Sequence, residues 1–105
     1  MPPPAPVVRA RLDRALASRD LAAVRATARE LPRIVTLADA VKILTLMLDA
    51  DDPAFEGAAV RWLARFTTEH PTATLGEVQA ALEALEALPA PDAEATLGAL
   101  LRRHA

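Results

Sequence analysis

The chain has 105 residues, room for one domain with one modest core. Its apolar half is dominated by 25 Ala and 16 Leu, against seven Val, two Ile and three aromatics, which is the composition of close-packed helices and not of a sheet. The net charge of −2 is unevenly placed: residues 1–33 hold seven Arg against Asp13, Asp20 and Glu30, a balance of +4, and residues 34–105 hold five basic and eleven acidic groups, a balance of −6. The absence of cysteine excludes disulfides, thiolate metal sites and a cysteine nucleophile. The start, MPPPAPVV, lacks the basic and apolar regions of a secretory signal, and no apolar run reaches the roughly 20 residues of a membrane span. Eleven Arg to one Lys suggests a GC-rich bacterial genome, and the expected compartment is the cytoplasm.

Residues 1–6 read as a flexible Pro-rich lead-in and residues 7–105 as a single all-helical domain. A first helix fits residues 7–18, with Val8, Leu12, Ala15 and Leu16 on one face. Asp20 is placed to cap a second, whose stripe is Leu21, Val24, Ala28 and Leu31, and Pro32 ends it. "TLAD" at 36–39 is a cap residue with an acid three positions on, and it opens a helix over 37–50 that is apolar nearly all round, the pattern of a helix buried in the middle of something.

Asp52 then reads as a cap with Pro53 at the first helical position, opening a helix that runs to about Glu69. Thr74 and Glu77 form a second capping box before a helix to Leu88. Pro89 and Pro91 break the chain, and Asp92 reads as the cap of a sixth helix that runs to the end. Six helices joined by short turns, with three glycines and no strand pattern, give an all-α protein. The side chains expected inside are Leu44, Leu48, Trp62, Leu63, Leu82, Leu85, Leu97 and Leu101.

The chain also repeats itself. At an offset of 38, Thr36, Leu37, Asp39, Leu44, Pro53, Glu56, Leu63 and Arg65 fall on Thr74, Leu75, Glu77, Leu82, Pro91, Glu94, Leu101 and Arg103. A helical hairpin is thus used twice, at a period typical of helical repeats, and residues 7–33 make a shorter third one. "LDADDPAFEGAAVRWLARF" resembles the second half of a HEAT-type repeat: an acidic turn, a proline, an apolar Phe55, a small Ala59 and Leu63. The resemblance covers residues 36–104 and implies three stacked hairpins, as a short HEAT-like solenoid or a compact helical-repeat bundle. One position departs from the pattern. Glu56 stands where such repeats often carry the Arg that pairs with the acidic turn.

Chemistry has little to work with. Asp49, Asp51 and Asp52 lie close in sequence, but a hard cation needs several oxygens converging on one point, and the ligand spacing and glycine of a calcium loop are missing. They read as turn and cap residues, with Asp51 in the solvated first turn of the fourth helix. No Tyr, Asn or Gly-rich phosphate loop occurs, and the single Ser and two His lie near helix ends, so neither a catalytic site nor a cofactor or metal site is expected. Trp62 recurs with Phe55, Ala59 and Phe66 on one face and reads as core, not as a base-stacking platform.

The expectation is therefore a non-catalytic interaction or scaffold module. Its partner would be another protein or a second copy of itself. The competing expectation is a small nucleic-acid-binding regulator. It would use Arg9, Arg11, Arg14, Arg25, Arg29 and Arg33 of the N-terminal hairpin as contacts for an anionic partner, with Arg61, Arg65 and Arg103 as a second patch.

Overall fold

A computed structural model describes residues 3–105. Six α-helices account for the fold: α1 (Ala5–Ala17), α2 (Leu21–Glu30), α3 (Leu37–Asp49), α4 (Phe55–Glu69), α5 (Leu75–Ala87) and α6 (Pro91–Arg103), with a 3-10 turn at Pro32–Ile34. No strand occurs among the described residues. None of the helices is long and apolar enough to cross a membrane.

The start and stop signals act largely as expected. Asp20 accepts a hydrogen bond from the Ala23 N–H at 3.1 Å. Both capping boxes close, Thr36 with Asp39 and Thr74 with Glu77. Three boundaries differ. Met1 and Pro2 lie outside the described residues, and Ala5 and Pro6, expected in a flexible lead-in, form the first turn of α1, where Pro6 gives up no N–H that the helix needs. Asp52 does not cap α4 directly. Its carboxylate accepts from the Ala54 N–H at 2.8 Å and its carbonyl from the Phe55 N–H at 3.1 Å, a turn that delays the helix to Phe55. Asp92 sits inside the first turn of α6, behind Pro91, and makes no cap.

Two helices end on left-handed residues. Arg19 (φ 58°) and Asp51 (φ 51°) each follow a helix. After α3 the Asp52 N–H reaches the Met47 carbonyl at 2.9 Å and the Asp51 N–H reaches that of Leu48 at 3.1 Å; after α1 the Asp20 and Arg19 N–H groups reach Ala15 and Leu16 in the same way. This is the Schellman arrangement, which usually takes glycine. Asp51 thus terminates α3 and does not lie in the first turn of α4.

Hydrophobic packing falls into two clusters joined by α3. Leu12, Ala15 and Val24 of the α1–α2 hairpin close on Val35 and on Leu46 of α3. Leu37, Val41, Leu44 and Met47 of α3 face the other way, into the larger core around Trp62, Phe66, Leu85 and Leu97. The all-round apolarity of α3 is explained by these two jobs. In the larger core the helices form a ring, with α3 on α4, α4 on α5, α5 on α6 and α6 back on α3. A stack of hairpins would set α3 beside α5 and α4 beside α6, and neither pair is a principal contact. Of the two arrangements the repeat allowed, the adjacency is that of a bundle.

Trp62 is the keystone of this core. It is 3% exposed, stacks on Phe66 with ring centroids 5.5 Å apart, and donates its indole N–H to the Leu37 carbonyl at 2.9 Å. Leu48, Leu63 and Leu101 pack against the core from partly buried positions. Leu82 does not belong to it: the side chain points outward between α4 and α5 and is 45% exposed.

Trp62→Ala is expected to cost about 3–5 kcal/mol in chemical denaturation, whereas Leu82→Ala should change stability by no more than about 0.5 kcal/mol. Comparable losses in the two variants would contradict this placement. Asp51→Gly removes a left-handed non-glycine residue that has no ion-pair partner among the described residues. It should raise stability by about 0.5 kcal/mol, visible as a higher thermal midpoint.

Candidate interaction surface

The arginines expected to meet an anionic partner are in large part engaged within the protein. Arg9, half-buried on α1, is the most constrained. Its guanidinium donates to both carboxylate oxygens of Asp39, one at 2.8 Å, to Asp13 at 2.6 Å and to the Ile34 carbonyl at 3.3 Å. Asp39 is 4% exposed and also receives the Thr36 N–H at 2.9 Å. Burial pushes its carboxyl up, but the Arg9 guanidinium and the Thr36 cap outweigh that, and the carboxyl is held below the usual carboxylate range. The same contact raises the guanidinium of Arg9 further.

Arg11 clasps Glu30 across the α1–α2 hairpin, and Arg25 reaches Asp52. Asp52 is held low by the Ala54 N–H and by Arg25. Arg19, which the sequence did not single out, pairs with Asp49. Asp49, the last residue of α3, and Asp52 in the turn after it therefore anchor the N-terminal hairpin. Arg14, Arg29 and Arg33 make no ion pair among the described residues and are exposed.

The second patch does not assemble as one. Arg65 pairs with Glu69 and donates to the Val35 carbonyl at 2.6 Å, while Arg103 lies 3.7 Å from Glu77 at the far end of α6. Their equivalence in the repeat is not kept in space. Arg61 and Arg65 share a shallow depression between α3 and α4.

His70 and His104 meet, although both sit at helix ends. Their rings are 5.2 Å apart and both pack on Phe66, at 5.6 and 5.9 Å. His104 Nε2 lies 3.1 Å from Glu77. The Thr74 N–H, joined by His104, holds the Glu77 carboxyl low. The hint was in the repeat, which aligns His104 with Phe66, the aromatic on which both rings pack.

The feature that sequence reasoning missed lies between α4 and α5. A trough of about 300 Å³ has Ala59, Leu63 and Leu85 along its floor and Val60 and Leu82 as walls, with Glu56 and Glu86 at one end. Val60 is 64% exposed. Leu75, 89% exposed, lies outside the lining but on the same face of α5, two turns before Leu82. Three of the four large apolar side chains exposed among the described residues thus lie on these two helices. Glu56 and Glu86 have no hydrogen bond or ion pair among the described residues, whereas Glu30, Glu69, Glu77 and Glu94 each have one. The trough offers apolar surface and two solvated carboxylates, and neither His lines it. Its signal was the position of Val60, about 120° from the core stripe of its helix at roughly 100° per residue.

No family model matches the chain, and no curated protein or solved structure is similar to it. Nor does any group of three or more His, Asp and Glu suited to a metal ion occur among the described residues.

The Arg9–Asp39 contact gives a signed pH prediction. A carboxyl whose folded pKa is depressed stabilises the fold above its unfolded pKa and loses that contribution as pH falls through the folded value. Arg9→Met should cost about 1–3 kcal/mol at pH 7 by leaving a buried carboxylate without its cation. Below about pH 4, the ordinary aspartate range, the gap between variant and wild type should narrow. Denaturant titrations of both proteins from pH 7 to pH 3 measure this, and a gap independent of pH would show that the contact is not ionic.

Proposed function

We propose that this protein is a non-catalytic interaction module that docks a partner on the α4–α5 trough. One observation carries the reading: exposed apolar side chains converge there, on an otherwise well-satisfied surface. A contiguous apolar patch with a polar rim is what docking surfaces look like, while singly scattered apolar residues are ordinary. In its finer form the module is a compact helical-repeat bundle whose second helices are HEAT-like, acting in the bacterial cytoplasm without a cofactor.

The competing reading, a nucleic-acid-binding regulator, is supported by the exposed Arg14, Arg29 and Arg33, which have no ion-pair partner among the described residues. It is weakened by the engagement of Arg9, Arg11 and Arg25 inside the protein. Phosphate contacts must lose affinity steeply with salt, because each neutralised phosphate releases counterions.

Affinity capture from the native cell, with wild type beside the Val60→Glu/Leu82→Glu double variant, tests the first reading. The expected result is a retained set of proteins that the variant loses while keeping its melting temperature. Identical captures would remove the trough from consideration. Duplex and single-stranded nucleic acids should show no salt-sensitive binding. Submicromolar affinity with a log–log salt slope of about −3 or steeper, lost in the Arg14→Gln/Arg29→Gln/Arg33→Gln variant, would decide for the regulator.

A further inference from the structure

We infer that the occupant of the α4–α5 trough is a basic amphipathic helix of another protein, its apolar side chains along the trough and a Lys or Arg set between Glu56 and Glu86. This rests on the reading of the trough as a docking surface and names the chemistry of its partner.

Shape argues for a helix. The trough runs between two antiparallel helices, the natural seat for the ridge of a third. Beyond the lining of the trough, Leu75 is exposed on the same face of α5, seven residues before Leu82 and about 10 Å away at 1.5 Å per residue. That is two turns, the length over which a docked helix presents anchors at i, i+3 or i+4, and i+7.

Charge argues for a basic one. Glu56 lies in the first turn of α4 and Glu86 next to the end of α5, so antiparallel packing puts both at the same end of the trough. Neither has a partner among the described residues, and no Lys or Arg lines the trough. Two uncompensated carboxylates beside apolar surface favour a cation and penalise an anion. A nucleic acid or an anionic membrane surface is repelled by the same pair. A second copy docked face to face brings no cation to it, because the face contains none.

The test uses the full chain and a displayed library of randomised helical peptides. Enriched peptides should carry the i, i+3/i+4, i+7 apolar set together with net positive charge. A representative should bind wild type at least about tenfold more tightly than its counterpart with Lys and Arg replaced by Glu. Glu56→Gln/Glu86→Gln should erase that preference, and Leu82→Glu should abolish binding of both forms with an unchanged melting temperature. Enriched peptides that are neutral or acidic, yet still lost with Leu82→Glu, would overturn the basic occupant and leave the trough as a docking surface. Peptides indifferent to both Val60→Glu and Leu82→Glu would overturn the docking surface as well. An absence of enrichment, or self-association in light scattering that Leu82→Glu removes, would overturn the inference, the latter in favour of a second copy.

Discussion

Everything in this fold has to accommodate a helix that buries two faces at once. Leu46 of α3 closes the cluster of the N-terminal hairpin, while Leu37, Val41, Leu44 and Met47 enter the core of the four-helix ring. A helix in that position leaves little room for polar groups, and α3 still carries Asp39 at its capping box. The carboxylate is useful there because it holds the Thr36 N–H, but burial makes it costly unless a cation comes to it. Arg9 reaches it from α1. The capping of α3 and the docking of the N-terminal hairpin are therefore one interaction: loosening either frees the other.

The charge asymmetry of the chain follows from the same arrangement. Three arginines of the N-terminal hairpin and its turn, Arg9, Arg19 and Arg25, meet Asp39, Asp49 and Asp52 at the start and end of α3. The basic and acidic segments of the sequence face one another inside the molecule. Each exposed pair is worth little, about 0–1 kcal/mol, but together they fix where the hairpin sits along α3. The acidic turn after α3 takes its arginine from α2, where Arg25 reaches Asp52, and not from the helix that follows.

Local structure was legible where a single side chain decides it. Asp20, Thr36 and Thr74 marked the starts of α2, α3 and α5 because a cap is a contact within four residues. Pro32 marked the end of α2 just as locally, because proline has no N–H to donate and restricts the residue before it. Asp52 and Asp92 misled, since a cap residue beside a proline can equally form a turn or lie in the first helical turn. The neighbours of each helix were not legible. The repeat at offset 38 preserves the second helices well, with Ala59 and Leu97, and Trp62 and Leu100, all buried. It fails on the first helices, where buried Leu37 and Leu44 correspond to exposed Leu75 and Leu82. Helix α5 is apolar on two sides, and periodicity alone does not say which side a given neighbour covers. The ring selects Ala81, Ala84, Leu85 and Leu88, whose small alanines admit close packing.

That failure of the repeat is itself informative about the trough. Both α3 and α5 are apolar on two faces, and α3 has both covered within the chain. The residues that α5 buries, Ala81, Ala84 and Leu85, correspond to Ile43, Leu46 and Met47 of α3, of which Leu46 closes on the N-terminal hairpin and Met47 enters the core of the ring. The face it leaves open corresponds to Leu37 and Leu44, which in α3 are sealed in the core. No helix among the described residues seals Leu75 and Leu82. A helix laid along that open face would do for α5 what the rest of the fold does for α3. Such a helix would find in Glu56 and Glu86 carboxylates with no ion-pair partner among the described residues, and its cation would meet them as Arg9 meets Asp39. The difference is that Asp39 is buried and must be compensated for the fold to close, whereas Glu56 and Glu86 are solvated and can wait for a cation that arrives from outside.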